Sequence, residues 1–290
     1  MKRRGGLATL LLAGPAVLLY GGFLVLPAIL GFGYSFTNWN GWNKRPEFVG
    51  LDNFQELLHD DLFLSSLRFT VTETVLIFLV FTFGAMVFAV LLDRVKLLKG
   101  LVRGLFFYPY VLSLLVGGLL FQWLANYNDG AVNTVLRGLG VPSWAKEWMG
   151  PGWATWLLLA FVTWSALGFF TTLYLANLQT IPDDLYEASA LEGAGPVSVF
   201  RHVQFPMLMP TITTNSVLAL IFGINLFGQI IVLWDTPRTD TYTAAYYVYR
   251  VGIEGNRQGY ATAISLTMFV ALALIAIVQV RFLRAKQVQL

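Results

Sequence analysis

The chain has 290 residues, of which 57% are hydrophobic and only 12% are charged, and its net charge is +3. Soluble domains carry about 25% charged residues, so this composition excludes a soluble globular protein. The small net charge gives no reason to expect a nucleic-acid partner. The lack of cysteine excludes disulfides, thiolate metal sites and a cysteine nucleophile. The composition therefore indicates a membrane protein.

Six stretches without Asp, Glu, Lys or Arg are long enough to cross a bilayer as helices, which takes about 20 residues. Continuous apolar runs favour helices over barrel strands, which are shorter and alternate. The sequence predicts a single all-α membrane domain over residues 1–290, with six transmembrane helices. Their predicted bounds are about 8–32, 70–92, 105–125, 153–176, 212–234 and 260–280.

The first apolar stretch has two readings. Met1 is followed by three basic residues and an apolar run, as in a secretory signal. The run extends from Leu7 to Phe32, however, which is longer than the core of about 7–15 residues in a signal peptide. No clear small-residue cleavage site follows it. We therefore expect an uncleaved first helix.

Lysine and arginine in the loops predict the orientation, because basic loops stay on the cytoplasmic side. With the N-terminus inside, 11 of the 19 basic residues fall in the shorter, inside segments. Both termini and the segment between the fourth and fifth helices are then cytoplasmic. The inside basic residues are Lys2, Arg3, Arg4, Arg94, Lys96, Lys99, Arg103, Arg201, Arg281, Arg284 and Lys286.

The first outside loop contains a short amphipathic helix that starts near Leu51. Asp52 or Asn53 is placed to cap it, with Glu56 close behind. Two readings stay open for this helix: an ordinary surface helix, or a docking surface for an external partner.

In the fourth predicted helix, Trp164, Gly168 and Thr171 share one face, because they are spaced i, i+4 and i+7. An aromatic face stacks on a ligand ring in some proteins, whereas tryptophan in a membrane helix more often lies at the interface or in packing. Both readings stay open: one wall of a substrate path, or helix packing.

Residues 181–210 form a turn-rich segment that predicts two short helices. Thr180 is placed to cap the first helix, and Pro182 suits its first turn. Gly193 supplies a stop, and Pro196 begins the second helix. Such a structure exposes apolar and small side chains. It therefore either contacts a partner or lies on the membrane surface as an amphipathic pair.

In the fifth predicted helix, Asn215, Asn225 and Gln229 fall within an arc of about 80°, with Gly223 and Gly228 nearby. Polar side chains inside a membrane helix are costly and often functional. Here they either hydrogen-bond a polar solute in a central cavity or join neighbouring helices, as small residues also do.

Several chemistries are missing from the sequence. It contains no Gly-x-x-x-x-Gly-Lys-[Ser/Thr] segment and hence no P-loop for ATP. Its two histidines, His59 and His202, lie in loops predicted on opposite sides of the membrane, and no nucleophile motif is present. We predict a chain that is not an enzyme, with no catalytic residues and no bound cofactor or metal.

The segment that ends at Pro210 resembles the E-A-A-x-x-x-G motif of the membrane subunits of ATP-binding-cassette importers. The carbohydrate branch of that family extends the motif to E-A-A-x-x-D-G-A, five residues, F, two residues, I-x-L-P, three residues, P. The identical positions, at matching spacing, are Glu187, Ala188, Gly193, Ala194, Phe200, Pro206 and Pro210. The departures are Ser189, Glu192, Val203 and Phe205, in place of Ala, Asp, Ile and Leu. The stretches FVGLDNFQELL and GYATAISL also resemble sugar-importer permeases, so the resemblance covers most of the chain.

This resemblance implies a permease subunit of a binding-protein-dependent, ATP-driven importer in a prokaryotic plasma (inner) membrane. It implies a second, homologous permease, an extracytoplasmic sugar-binding protein and two copies of a cytoplasmic ATPase, which bind the ATP and Mg²⁺. The spans would move sugar by alternating access. The residues that it assigns to the ATPase contact are Glu187, Ala188, Ser189, Glu192, Gly193, Ala194, Phe200 and Pro206.

Resemblance to maltose-type permeases, in which the fifth helix lines the sugar site, favours a substrate path. Its candidate residues are Asn215, Gly223, Asn225, Gln229, Trp164 and Thr171. The alternatives are an ion-gradient-driven secondary transporter, an ATP-driven permease for glycerol phosphate or another polar solute, and a scaffold without transport. No Asp, Lys or Arg lies mid-span, and Glu73 is predicted at the edge of the second span, which disfavours the ion-gradient mechanism.

Overall fold

The computed structural model describes residues 3–94, 99–234 and 237–284, with side chains for 12–94, 100–234 and 237–281. Within these ranges the chain is helical, and the one extended pairing is an isolated bridge between Thr37 and Phe48. The predicted helical class is confirmed. Four described helices are long and apolar enough to cross a membrane, and two bent helix pairs make six if each is one span.

The chain divides into two compact units. The first comprises Met1–Leu64 and Tyr247–Val270, and the second comprises Ser65–Tyr246 and Ala271–Leu290. Some of the basic residues that predict the orientation lie outside the described residues. These are Lys2, Lys96 and Lys286.

The first unit begins with a continuous apolar helix. Its three parts are α1 (Arg3–Tyr20), a π-helical turn (Gly21–Val25) and α2 (Leu26–Tyr34). No side chain from Leu12 to Tyr34 is buried. An apolar helix this exposed needs lipid or another protein around it. The predicted span 8–32 lies within this helix.

The short helix α3 (Asp52–Leu57) is fixed to the preceding chain by Asn53. Its buried amide nitrogen Nδ2 donates to the carbonyl oxygens of Ser35, at 2.8 Å, and Thr37, at 2.9 Å. The N-cap position is Leu51, which makes no side-chain capping bond. The predicted cap by Asp52 or Asn53 is therefore wrong, because Asn53 binds two carbonyls of the chain before the helix instead.

Asp60 joins the beginnings of two long helices, α4 (Asp61–Leu79) and α16 (Gln258–Arg284). Its Oδ1 accepts the backbone N–H groups of Leu62 and Phe63, which caps α4. Its Oδ2 accepts the hydroxyl protons of Tyr247, at 2.6 Å, and Tyr260, at 2.7 Å. One carboxylate thus holds together three segments of the first unit.

The second unit is built around α4, α5 (Ala85–Asp93) and α9 (Ala154–Leu178), with a π-helical turn (Val80–Gly84) between the first two. The rings of Phe81 and Phe170 stack with centroids 4.2 Å apart. The buried Tyr174 hydroxyl donates to the carbonyl oxygen of Thr82 at 2.9 Å. These contacts fix α9 against the second predicted span. The predicted spans 70–92 and 153–176 lie within, or within a residue of, these helices, and 260–280 lies within α16.

The third predicted span, 105–125, is wrong as one straight helix. The structure has α6 (Lys99–Val111) and α7 (Leu114–Ala125), which are bent by 95°. Pro109 lies near the end of α6, where the ring removes a backbone donor from the helix ladder. Ser113 then adopts an extended conformation with ψ 134°. The chain therefore turns sharply inside the predicted span.

The fifth predicted span, 212–234, is also wrong as a single helix. The helix α13 (Met209–Ile224) ends where Asn225 donates from Nδ2 to the carbonyl oxygen of Ile221 at 2.7 Å. Such a local bond competes with the helix ladder. The chain resumes as α14 (Gly228–Leu233). This helix packs tightly on α7, since a Cβ on Gly118 would lie 2.6 Å from the Val232 side chain.

Short elements complete the described connections. Those not yet given are α8 (Ala131–Gly138), two 3₁₀ turns (Pro142–Trp144 and Thr239–Thr241), α15 (Ala244–Tyr249) and a π-helical turn (Arg250–Glu254). Asn133 of α8 is buried, and it holds the approach to α9 by donating to Lys146 O at 2.9 Å and accepting from Trp148 Nε1 at 2.8 Å.

Candidate functional site

The turn-rich segment before α13 folds into a helical knob. We define the knob as α10 (Asp183–Leu191), α11 (Pro196–Val199) and the π-helical turn Phe200–Gln204. It continues into α12 (Phe205–Met207), and the helical run Pro196–Met207 meets α13 at a bend of 69°. The knob thus lies between α9 and α13, within the predicted segment 181–210.

The first knob helix begins without the predicted cap. Its N-cap position is Pro182, with ψ 138°, and no side chain caps the free backbone donors. The Thr180 hydroxyl instead donates back to the carbonyl oxygen of Asn177 at 2.8 Å. The prediction for Thr180 is therefore wrong, since its hydroxyl is taken by the last turn of α9. Asp183 and Asp184 lie in the first turn of α10, where negative charge stabilises a helix.

Gly193 ends the first knob helix in a left-handed conformation, with φ +73°. The N–H of Ala194 donates to Ser189 O at 2.9 Å, and the N–H of Gly193 donates to Ala190 O at 3.0 Å. This pair of bonds is a Schellman motif, in which the left-handed position favours glycine. The predicted helix stop at Gly193 is confirmed, and it turns the chain toward Pro196.

The knob presents an apolar, small-residue surface. Leu191 is 91% exposed and Val197 is 80% exposed. Between the two knob helices lies a groove of about 250 Å³, lined by both apolar and polar side chains. The Tyr186 hydroxyl accepts a 3.4 Å hydrogen bond from Gln204 Nε2, which links α10 to the π-helical turn of the knob. A surface of this kind is suited to contact with another chain.

The predicted contact residues lie on the knob and the turn between its helices, except Pro206, which lies in α12. Glu187 and Ala188 are exposed on α10, as is Glu192 at its end, whereas Ser189 donates its hydroxyl to Tyr186 O at 2.8 Å. The half-buried members are Ala194, Phe200 and Pro206. The acidic residues of the motif, with Ala188 and Gly193, are therefore its exposed members.

A cavity of about 130 Å³ lies where the two broken helices meet α9. Broken membrane helices are a common setting for binding sites, because polar backbone and side chains become available there. No charged side chain is among the residues that line it. They are Pro109, Tyr110, Leu112, Ser113, Leu114, Gly117, Phe161, Trp164, Ser165, Ala166, Phe222 and Gln229.

Aromatic rings make up one wall of this cavity. Tyr110 stacks on Phe169 with ring centroids 4.8 Å apart and an interplanar angle of 16°. Trp164 packs against Phe121 at 5.4 Å, and a Cβ on Gly117 would lie 3.3 Å from its ring. A second cavity, of about 320 Å³, also borders Trp164 and is mainly apolar. Trp164 and Pro109 therefore line both cavities.

The predicted substrate-path residues divide into two groups. Trp164 and Gln229 line the cavity. Asn215 is fully buried and donates from Nδ2 to the Phe170 carbonyl oxygen at 3.0 Å, which is a helix–helix contact. Thr171 is also buried and donates to Leu167 O within its own helix. A Cβ on Gly223 would lie 2.8 Å from the Cα of Thr74.

The predicted arc of three amides on one helix is wrong, because the helix ends before Asn225. Asn225 itself is exposed and binds its own helix end. Tyr110, Ser113 and Ser165 line the cavity but were not predicted. The signal that points to two of them is Pro109 followed by a polar residue inside an apolar stretch, which marks a break in the third span.

Glu73 lies in α4, and its side chain is completely buried inside the protein. Its carboxyl group lies near the Thr155 hydroxyl without a well-formed hydrogen bond. Glu73 is not among the residues that line the cavity. In the described part of the chain, no group of three His, Asp or Glu side chains is placed to hold a metal ion.

Residues 82–287 match the family of binding-protein-dependent transport system inner membrane components. The multiple sugar-binding transport system permease protein MsmF of Streptococcus mutans is 31% identical, over 89% of each chain. The sulfoquinovosyl glycerol transport system permease protein SmoG of Agrobacterium fabrum is also 31% identical, over 97% of this chain and 91% of its own. In fold, the chain is similar to a subunit of a bacterial transporter that imports the acidic polysaccharide alginate, with a TM-score of 0.84 and 24% identity over 98% and 96% of the two chains.

Proposed function

Because this chain belongs to the family of binding-protein-dependent transport system inner membrane components, we propose that it is the permease subunit of an ATP-driven importer for a neutral carbohydrate. Membership of this importer family argues against the alternative of an ion-gradient-driven secondary transporter. The chain is a multi-pass membrane protein, and it contributes the path rather than the energy for transport. Relatives named for sugar uptake support carbohydrate as the substrate class.

The cavity at the broken helices is the observation that carries this proposal. Sugars offer C–H faces, which stack on aromatic rings, and hydroxyl groups, which pair with amide and hydroxyl side chains. Tyr110 and Trp164 provide the rings, and Gln229, Ser113 and Ser165 provide the polar groups. The lining therefore has both kinds of group that a sugar needs.

The same lining argues against glycerol phosphate and acidic sugars. A phosphate or carboxylate that leaves water needs a charged partner or several strong donors. None of the twelve residues around the cavity is Lys or Arg. The chemistry of this lining therefore suits a neutral sugar better than an anion.

The knob is the proposed contact with the ATPase. Its exposed apolar residues and its glycine turn allow a second backbone to approach closely. In this proposal two ATPase copies bind ATP and Mg²⁺ on the cytoplasmic side, where both termini of this chain also lie. Closure of the ATPase pair moves the knob, and the helices alternate between outward and inward access.

A second permease and an extracytoplasmic binding protein complete the proposed assembly. The exposed helix from Leu12 to Tyr34 supports the second permease, since lipid or a partner chain must cover its apolar side chains. A solved relative of similar fold was crystallised with a pentasaccharide-bound periplasmic protein. This supports a binding protein that delivers the sugar.

Uptake by the purified assembly tests the proposal. The chain would be co-expressed with its partner permease and ATPase, reconstituted in proteoliposomes and given neutral oligosaccharides, glycerol phosphate or uronic-acid oligosaccharides. We expect ATP-dependent uptake of a neutral sugar. Uptake that persists without the ATPase would contradict the ATP-driven mechanism, and selective uptake of the anions would contradict the substrate class.

A further inference from the structure

A side-chain contact connects the base of the knob to a neighbouring helix. Arg103 of α6 lies beside Gln179, the residue that directly follows α9. With the Gln179 carboxamide oriented to accept, its oxygen lies 2.8 Å from Arg103 Nη1 and 2.6 Å from Nη2. Arg103 Nη2 also lies 3.9 Å from the Asp93 carboxylate at the end of α5. One guanidinium therefore bridges the ends of three helices.

The residues around this contact leave the base of the knob little freedom. Leu178 and Ile181, which flank Gln179 and Thr180, are 3% and 5% exposed. Gln179 is three residues before Pro182, which occupies the N-cap position of α10. Because both neighbours are buried, the base of the knob is packed against the rest of the protein, and Arg103 connects it to α6.

The helices joined by Arg103 also carry the cavity wall. Pro109 and Tyr110 lie on α6, about 9 Å along the helix from Arg103 at 1.5 Å per residue. Trp164 and Ser165 lie on α9, about 22 Å from Gln179 by the same measure. Between these points α6 and α9 touch through their backbones, since a Cβ on Gly168 would lie 2.0 Å from Phe106 O. The pair can therefore move as one body.

We propose that Arg103 is a positioning residue that transmits the movement of the knob to the cavity wall. The contact with Gln179 makes α9 and α6 move together, so the two walls of the cavity shift as a unit when the knob is pulled. This inference rests on the proposed contact between the knob and an ATPase. It names the side chains, Gln179 and Arg103, through which the knob is connected to α6. Coupling through these side chains is testable by substitution.

Cavity accessibility tests the route without any sugar. The sequence has no cysteine, so Ser165→Cys introduces one reporter thiol into the cavity lining. Its rate of reaction with a water-soluble maleimide would be measured in the assembled complex, with and without ATP and vanadate. We expect trapped nucleotide to change this rate by about tenfold, within the range for coupled sites. Arg103→Ala and Gln179→Ala should each abolish the change, whereas ATP hydrolysis continues.

Matched variants separate transmission from folding. Gln179→Glu keeps an acceptor for the guanidinium and should retain the response, as should Arg94→Ala, which removes an exposed arginine next to Asp93. If the complex with Arg103→Ala does not assemble, Gln179→Ala still removes the contact, and its maleimide reaction rate tests the same prediction. A normal nucleotide response in Gln179→Ala would overturn the proposal.

A substitution in the knob keeps the two proposals distinguishable. Gly193→Leu alters the ATPase contact itself and should abolish the nucleotide response. If Gly193→Leu has no effect, the proposed ATPase contact fails and the inference about Arg103 falls with it. If Gly193→Leu abolishes the response while Arg103→Ala and Gln179→Ala leave it intact, only the role of Arg103 is refuted.

Discussion

Gly168 and Phe106 are in backbone contact between α9 and α6, so that a Cβ on the glycine would lie 2.0 Å from the Phe106 carbonyl oxygen. This contact brings α6 close enough for Tyr110 to stack on Phe169 beside the cavity. Gly168 was predicted only to share one helix face with Trp164 and Thr171. Its role in the structure is to allow the two helices to approach.

Replacing Gly168 therefore tests the packing of the cavity wall. Gly168→Ala should lower stability by about 1–3 kcal/mol or more, because the backbone must move to admit a methyl group. Thermal unfolding in detergent measures the loss. Gly104→Ala is the control on α6, since its Cβ meets nothing within 4 Å, and it should gain about 0.5–1 kcal/mol from helix propensity. Equal melting temperatures for the two variants would contradict the contact.

Replacing Gly193 tests whether the knob is the coupling contact with the ATPase. A leucine at φ +73° costs about 1–2 kcal/mol of local strain, although its Cβ meets no atom within 4 Å. We expect Gly193→Leu to insert into the membrane normally and to lose stimulation of ATP hydrolysis by loaded binding protein. Gly195→Ala, at φ −73° and in open space, should behave like the wild type. Normal stimulation in Gly193→Leu would remove the knob from the coupling contact.

The two tryptophans of α9 form a matched pair for the substrate path. Trp164 lines the cavity, whereas Trp156 is 54% exposed on the same helix. Trp164→Ala should lose ring stacking worth about 0.5–1.5 kcal/mol, which raises the KM for uptake about two- to tenfold. Uptake kinetics in proteoliposomes measure this change in KM. Trp156→Ala should leave the KM unchanged, and an equal effect of both variants would argue against the cavity.

Asn215 distinguishes packing from substrate binding. Its amide donates to Phe170 O in a buried interface, so Asn215→Ala should cost about 0.6 kcal/mol, and at most about 1.7 kcal/mol, of stability. The KM for sugar should not change, because the residue does not reach the cavity. Thermal unfolding and uptake are measured on the same preparation. A raised KM at unchanged stability would restore Asn215 to the substrate path.

The surroundings of the Asp60 carboxylate predict that the stability of the fold depends on pH. Burial raises the pKa of its carboxyl group, but hydrogen bonds from Tyr247, Tyr260 and two backbone N–H groups outweigh burial and hold the pKa below the ordinary value. The ionised form therefore stabilises the fold above the unfolded pKa of about 3.9. This stabilisation is lost as the pH falls through the lower pKa of the folded protein.

Melting temperatures between pH 6 and about pH 3 measure this contribution. Asp60→Asn should be less stable than the wild type at pH 6, and the difference should shrink as the wild-type carboxylate takes up a proton. Asp61→Asn, which changes the exposed neighbour, should keep the wild-type slope. A constant difference between Asp60→Asn and the wild type at every pH would disprove the role of the charge.

Local chemistry predicted the knob well. Glycine is favoured where φ is positive, and proline suits a first helical turn, so Gly193 and Pro196 marked the turn and the second helix before any contact was known. The same reasoning failed at Thr180 and Asn53, whose polar groups bind carbonyls of the preceding chain. Propensity names the residues suited to cap a helix, but their actual partners depend on which carbonyls lie within reach.

The sequence by itself determined that this chain is a helical membrane protein, because its apolar stretches cannot be buried in a soluble core, and its motif residues indicated the family. Only the tertiary structure decided the geometry of the breaks in the third and fifth spans, because backbone groups freed near Pro109 and Asn225 must be compensated by other parts of the protein. Those breaks place Tyr110, Trp164 and Gln229 around one cavity. Residues on three separate helices have no fixed spacing in sequence, so only packing brings them together.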